Sequence, residues 1–597
     1  MWPPSPALDL PDDLLSAFPA HRSEIRIGYA RLSAGSQNIK RQTDALTTTG
    51  CRHVFADKKS GKTAERPELK ACHGFLTAGD TLVLPSLDRY GRSLHDLIPM
   101  VGELRRREIG FTSLYESLDT TRAAGWSSTY VGLDVAAMDY NAAAAAYAHG
   151  RSGMDEQPAP FHPSYEDRGP SAPDRMFTAV APVTTQHLIS AWNEYLTGHR
   201  SARPAVVHLH HLSHLQIAVR SAYQGIPVIT TFHGTDLKLL DQAQQITRFA
   251  DRLGVSLSTL GDACHDNDPE RKRMVLDRLL RDADLTEEEL AHVHTKDWRL
   301  WQYADLWSRQ MHWYARNAGR IAVVSDSDRV EVNRLLDIPE DDITVVPNGV
   351  DTTRFVPQHL DDNQRLARLR RWLVDDPRGW APGQEPASIR YTASDLGRMV
   401  DASGALRPVL LWIGRFQQVK RLNVLLEAFT EILKTADPAP VLLLWGGYPG
   451  EAEGEHPLTA ARRLGIDDHV YFIGWRDHDE LPDGLNCADL MVAPAVNESF
   501  GMVYIEAAAC GTPPIATNTG GPAGIITGCG SRAGGWLVKP DNVTDLVETL
   551  SAALADPAER ARRAANAARH IHRSYSWAAV ADRYQRLYEE AAHGRRG

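Results

Sequence analysis

Short apolar runs of strand length recur along this chain, and most are followed by a stretch with the periodicity of an amphipathic helix. The first series is IRIGYARL then NIKRQTDAL, HVFADK then LKACHGFL, TLVLPSLDR then LHDLIPMVGELRRRE, and GFTSLYES. After a break the rhythm resumes with AVVHLHH, PVITTFHGTD, IAVVS and ITVVPNGVD. It resumes again with PVLLWIGR, PVLLLWGG, VYFIGW, LMVAPA, PPIATNTGG and GWLVKP. Parallel strands need crossover connections, usually helical, so strand–helix alternation predicts parallel sheets and an α/β fold class. None of the apolar runs approaches the ~18 residues of a membrane span.

Composition excludes several alternatives. With 597 residues, 43% hydrophobic and 24% charged, the chain can build several cores and is not disordered as a whole. Six scattered cysteines form no C-x-x-C pair, which argues against a disulfide scaffold, a zinc finger or a redox motif. The start, MWPPSPALDLPDD, lacks the features of a signal peptide, so the chain reads as cytoplasmic. The net charge is −11, yet residues 21–120 hold 16 Lys and Arg against 12 Asp and Glu. A basic head on an acidic body suggests two modules of different origin.

Residues 1–24 read as a disordered tail and 25–120 as a small α/β module. Residues 121–204, with an alanine run and the Pro-rich stretch QPAPFHPSYEDRGPSAPDR, read as a joint and an atypical start of the next domain. Two further α/β domains are expected over 205–357 and 405–590, separated by a variable linker or insertion over 358–404.

The third strand–helix series carries candidate phosphate chemistry. Gly414 ends a strand, and Arg415 and Lys420 follow in R-x4-K spacing before the helix-like LNVLLEAFTEI. Two cations beside a helix N-terminus can hold a diphosphate; the alternative is a pair of solvated surface charges. Downstream, Glu498 and Glu506 stand in E-x7-E spacing, with Ser499, Phe500 and Gly501 directly after the first. A helical Glu506 would reach the same crevice and accept both ribose hydroxyls, unless the two glutamates are unrelated. His208, His210, His211 and His214 invite a metal reading, but the expectation is a buried strand ending in a cleft-facing loop. Trp298, Trp301, Trp307 and Trp313 are expected to be helix packing rather than a sugar platform.

With these motifs in order, and with VVPNGVDTTRF, CGTPPIATNTGG and GWLVKPDNVTDL beside them, residues 205–590 resemble a retaining glycosyltransferase of family four. The resemblance implies a GT-B architecture, two Rossmann-like domains facing a cleft, preceded here by the small module. It implies Arg415 and Lys420 on the donor diphosphate, with Gly414 beside them, and Glu506 on the ribose. It places Glu498 near the donor sugar, with Ser499, Phe500 and Gly501 presenting backbone to it, and His233 touching that sugar from the other domain. The partners implied are a UDP- or GDP-sugar donor and an unidentified acceptor hydroxyl. No cofactor or metal is expected, because the basic residues stabilise the leaving diphosphate. Nothing in the sequence supports a peripheral membrane contact. The strand–Gly-rich loop–helix unit with which such enzymes begin is not found in 121–204.

Residues 25–120 suggest different chemistry. YARLS sets Tyr29, Arg31 and Ser33 on alternate positions of a strand, hence on one face. SLDRYGRS adds Asp88, Arg89 and Arg92, and Arg66 lies in the loop between. A serine among arginines suits attack on a phosphodiester. The stretch resembles a serine recombinase catalytic domain of the resolvase–invertase type, which implies Ser33 as nucleophile with Arg31, Arg66, Arg89 and Arg92 around the phosphate, plus Gln42 and Asp88, and DNA as a partner through this module alone. The resemblance ends near Asp119–Thr120, without the dimer helix or helix-turn-helix that strand exchange needs. Three readings follow: a glycosyltransferase, a DNA-cleaving recombinase-like protein, or a fusion remnant with neither activity.

Overall fold

The computed structural model describes residues 25–31, 39–57, 67–77, 80–85, 104, 107, 109–113, 118–119, 163–166, 176–198, 204–264, 268–281, 283–450 and 452–593. They fall into two compact units. One is drawn from residues 1–163, 168–174 and 183–204, the other from residues 164–167, 175–182 and 205–597.

The first unit holds a five-stranded sheet of β1 (Arg26–Arg31), β2 (Cys51–Asp57), β3 (Thr81–Leu84), β4 (Gly110–Ser113) and β5 (Leu118–Asp119), in the order β2-β1-β3-β4-β5. The first four strands are parallel, and β5 runs antiparallel to β4. Period-two alternation sorts β1 between two cores. Ile27 and Tyr29 pack with Leu69, Cys72, Leu82, Leu84 and Phe111 on one face, and Ala30 packs with Leu46 and Val83 on the other. Gly28 lies under Leu46, whose side chain would touch a Cβ there at 3.1 Å.

The second unit contains two parallel sheets. The first has β6 (Val207–His210), β7 (Val228–Phe232), β8 (Arg320–Val323) and β9 (Ile343–Val345), in sequence order. The second has β10 (Val409–Ile413), β11 (Val441–Trp445), β12 (Val470–Gly474), β13 (Leu490–Ala493), β14 (Pro514–Thr517) and β15 (Trp536–Val538), ordered β12-β11-β10-β13-β14-β15. Counted from β10 this is the 3-2-1-4-5-6 order of a dinucleotide-binding fold, and the strand order reverses between β10 and β13. Strands β10 to β14 are buried at every position, as their unbroken apolar runs require. The C-terminal helix Trp577–His593 returns to the first sheet, where Val580, Leu587 and Ala591 pack on Ile229, Ala322 and Val346. The unit is thus built as two Rossmann-like halves.

Residues 358–404 are folded into the second half. Helix Asp362–Arg370 runs into a π-helical turn at Arg371–Asp375, and Trp372, Leu373, Trp380, Leu396 and Met399 join the core around β10–β13. Trp298, Trp301 and Trp307 are core residues of the first half, whereas Trp313 is exposed. Before β6 the described residues hold a short 3-10 turn, Phe177–Ala179, and helix Pro182–Gly198. No helix among the described residues is long and apolar enough to cross a membrane.

Candidate functional site

Ligands bind open α/β sheets at the carboxyl ends of the strands, where the strand order reverses. Here that place lies between the loops after β10 and β13. Gly414, directly after β10, donates its N–H to Trp445 O (3.0 Å), and its carbonyl accepts from Gly447 (3.1 Å). A Cβ on Gly446, whose φ is +115°, would stand 2.3 Å from the Gly414 carbonyl oxygen, so the two backbones meet only because 446 is glycine. Arg415 follows with its guanidinium half exposed and 3.8 Å from the Glu166 carboxylate. A 3-10 turn, Gln418–Lys420, then feeds helix Leu422–Thr435.

Lys420 Nζ donates to Glu498 Oε2 at 2.6 Å, which joins the loop after β10 to the loop after β13. Gly501, at φ +94°, opens helix Met502–Ala509. Phe500 is buried, and the Glu498 carbonyl accepts the Gly521 N–H at 2.8 Å. Glu506 lies one turn inside the helix, 4% exposed, and accepts a hydrogen bond from His478 Nε2 at 2.7 Å.

The other half meets this loop directly. His233 and Gly234 follow β7, and Gly234, at φ +87°, precedes helix Thr235–Arg252. A Cβ on Gly234 would stand 1.9 Å from Ser499 Oγ, so the two loops are in backbone-to-side-chain contact. His233 Nε2 and His210 Nδ1 are 2.8 Å apart, within hydrogen-bonding distance. Burial, then the neighbouring His211 and His210, hold His233 down to about 4. His208 bonds the Tyr588 hydroxyl (2.7 Å) and Thr231 Oγ1 (2.8 Å), and burial holds it down to about 3. His208 and His233 are therefore neutral hydrogen-bonding groups at pH 7. Among the described residues no three His, Cys, Asp or Glu side chains are placed to hold a metal ion.

Gly414, Arg415, Lys420, Glu498, Ser499, Phe500 and Gly501 thus share the loops at the strand-order reversal, Glu506 lies on the helix that follows, and His233 approaches from the other half. Sequence reading missed three further groups. His478 has no motif around it. Asp236 sits within the FHGTD element, and its buried carboxylate accepts the Leu212 and Leu237 N–H groups. Asp328 carries only the S-x-x-D spacing of a helix start.

In the first unit Tyr29 is fully buried, and its hydroxyl donates to Asp57 Oδ2 at 2.8 Å. Asp57 also accepts the Glu68 and Leu69 N–H groups at the start of helix Pro67–Phe75. Tyr29 therefore ties β1 to β2 and to that helix. Gln42 lies on helix Ile39–Thr48. Arg31 closes β1, and its side chain lies outside the described residues, as do Ser33, Arg66, Asp88, Arg89 and Arg92.

Three protein-family models match successive parts of the chain. The model for glycosyl transferases group 1 matches residues 402–570, and that for glycosyltransferase family 4 matches residues 145–354. The C-terminal part carries glycosyltransferase group 1 and family 4 domains. The resolvase N-terminal domain model matches residues 26–140, so a resolvase domain precedes them. Together with the two Rossmann-like halves, the glycosyltransferase domains place this part in the GT-B fold class.

Among curated proteins, a D-inositol 3-phosphate glycosyltransferase from Salinispora arenicola is 32% identical over 292 residues, covering 46% of this chain and 58% of that protein. The DNA-invertase of Escherichia phage P1 is 50% identical over 99 residues, covering 17% of this chain and 53% of that protein. The chain thus spans a little over half the length of each of these relatives. A solved glycosyltransferase from Rickettsia africae covers 96% of this chain and 99% of its own, at 12% identity and a TM-score of 0.44. That superposition is loose, and the fold assignment rests on sheet order and the family domains.

Proposed function

We propose that the glycosyltransferase domains move a sugar from a nucleotide-sugar donor to an acceptor hydroxyl with retention of anomeric configuration. The observation that carries this reading is the Lys420–Glu498 pair, 2.6 Å long, at the strand-order reversal, with the half-exposed Arg415 on the same loop after β10. The pair keeps the ammonium at the strand ends, where an arriving diphosphate, carrying more charge than one carboxylate, takes it over. In this reading Arg415 and Lys420 stabilise the negative charge that develops on the leaving diphosphate, a task for which one lost donor often costs ~10²–10³ in rate. Glu506 accepts the ribose hydroxyls, held in place by His478. Ser499, Phe500 and Gly501 line the sugar, and neutral His233 hydrogen-bonds one of its hydroxyls. Attack comes from the face of the departing phosphate, which takes the acceptor proton; no metal is invoked.

The D-inositol 3-phosphate named for the curated relatives makes a cyclitol phosphate the first acceptor to try. The test is a thermal-shift panel of UDP- and GDP-sugars, followed by NMR of the product's anomeric proton with the donor that binds. Inversion at that carbon would refute retention, and a folded protein that no nucleotide-sugar stabilises would refute the donor site.

A second reading concerns the resolvase domain alone, where Ser33 is the proposed nucleophile toward DNA. A covalent protein–DNA adduct that vanishes in Ser33→Ala would establish it, and a wild-type chain that forms no adduct on invertase sites would remove it.

A further inference from the structure

Asp328, the third residue of helix Asp326–Leu336, is 3% exposed, and its Oδ2 has no hydrogen-bond partner among the described residues. A buried polar atom left unpaired is costly and calls for an explanation. Helix capping does not supply one. Ser325 Oγ accepts the Asp328 N–H at 3.1 Å, but the reciprocal bond of a capping box is not made. Elsewhere in this chain Thr286–Glu289, Asp361–Gln364 and Thr392–Asp395 close the box in both directions. The last of these shows that an aspartate is long enough to do so.

The carboxyl is turned toward the junction of the two halves instead. Asp328 Oδ1 lies 3.6 Å from the point a Gly234 Cβ would occupy, the same point that lies 1.9 Å from Ser499 Oγ. Its helix packs against helix Gly520–Ile525 of the opposite half, where the Gly521 N–H bonds the Glu498 carbonyl at 2.8 Å. The charged groups facing it are Asp236 and Lys238 from helix Thr235–Arg252, Glu331 from its own helix, and Glu498 across the junction. Burial, then Asp236, push the Asp328 carboxyl up to about 8, with Glu331 and Glu498 adding to the effect and Lys238 opposing it.

We propose that Asp328 is a positioning residue of this site: uncharged, it lets the His233–Gly234 turn and the Glu498–Gly501 loop close on one another, and ionised, it parts them. The proton released on ionisation goes to solvent. A carboxylate at this place would be buried without a hydrogen-bond partner for Oδ2 and would face Asp236, Glu331 and Glu498, of which Glu331 is paired with Arg334 and Glu498 with Lys420, against Lys238. Opening the junction to water relieves both penalties. The consequence for sugar transfer rests on the proposed function; the closure itself does not.

The test is hydrogen exchange of the full, unliganded chain at pH 7 and pH 9, corrected for intrinsic rates and read on peptides covering 232–240 and 497–504. In the wild type, protection of these peptides falls about tenfold over that interval while β10–β13 peptides hold, as a single titration near pH 8 requires. Asp328→Asn, neutral at every pH, keeps the same protection at both values. Should that variant fail to fold, Glu331→Gln serves in its place and moves the wild-type transition to lower pH. A wild-type profile flat from pH 7 to 9, or a transition that neither variant alters, overturns the proposal. Failure of any nucleotide-sugar to bind would remove the transferase reading and leave this profile unchanged.

Discussion

Replacing Gly234 by alanine perturbs the contact between the two halves in a way the structure makes quantitative. Gly234 has φ +87°, a conformation that costs an L-residue roughly 1–2 kcal/mol. The added Cβ would stand 1.9 Å from Ser499 Oγ and 2.3 Å from Ser499 Cβ, against the 3.4 Å at which ordinary contact begins. Rotating the serine hydroxyl relieves only the first overlap, so the turn and the loop must move apart by about 1 Å. Misplacement of that size in a site of oriented groups can cost ~10² in rate. Gly254→Ala is the control: its φ is +66° and no atom lies within 4 Å of its Cβ, so it carries the backbone cost alone. The expected result, from urea unfolding and nucleotide-sugar turnover, is a larger stability loss in Gly234→Ala than in Gly254→Ala and a ~10²-fold loss of turnover in Gly234→Ala only. Adding Ser499→Gly removes both overlapping atoms and recovers much of that turnover. If Gly234→Ala behaves as Gly254→Ala does, the two loops are not in working contact and the reasoning fails.

Other predictions concern stability and pH. Tyr29→Phe removes the buried hydrogen bond to Asp57 and should lower the stability of the first unit by ~1–2 kcal/mol, read as a shift of its unfolding midpoint. For His208 and His233, the folded-state values of about 3 and about 4 lie below the ordinary value of 6.5. Their contribution to stability is therefore intact above pH 6.5 and is lost as pH falls toward 4 and then 3, by up to ~1.4 kcal/mol per pH unit for each ring. Denaturant midpoints between pH 7 and pH 4.5 should fall accordingly, and His208→Gln should flatten the slope. An unchanged slope would show that the Tyr588–His208–Thr231 connection does not couple protonation to folding.

Much of this arrangement was legible because its signals are local. Strands β10 to β14 are buried on both faces, so each reads as an unbroken apolar run, and the helix starts that follow carry Arg415, Lys420 and Glu506 at fixed offsets. What sequence could not show are contacts between remote segments. His208 bonds a tyrosine 380 residues away, and Gly234 meets Ser499 of the opposite half. Asp328 looks like an ordinary helix-start acid until the missing capping bond and the opposite half are seen together. The segment over 358–404 is polar and rich in turn residues, which hid the few large side chains, Trp372 and Trp380 among them, that fold it into the core. Tyr29 was read through its neighbours in YARLS, whereas its hydroxyl is committed to Asp57.

The central claim, that the loops after β10 and β13 hold a nucleoside diphosphate, is tested most directly by calorimetric titration of the full chain with UDP and with GDP. Saturable binding of one of them is expected. Arg415→Ala should weaken it by ~10- to 100-fold, the worth of a hydrogen bond to a charged group, while the protein stays folded. Wild-type protein that is folded and binds neither nucleotide, or binding that Arg415→Ala leaves unchanged, would contradict the account.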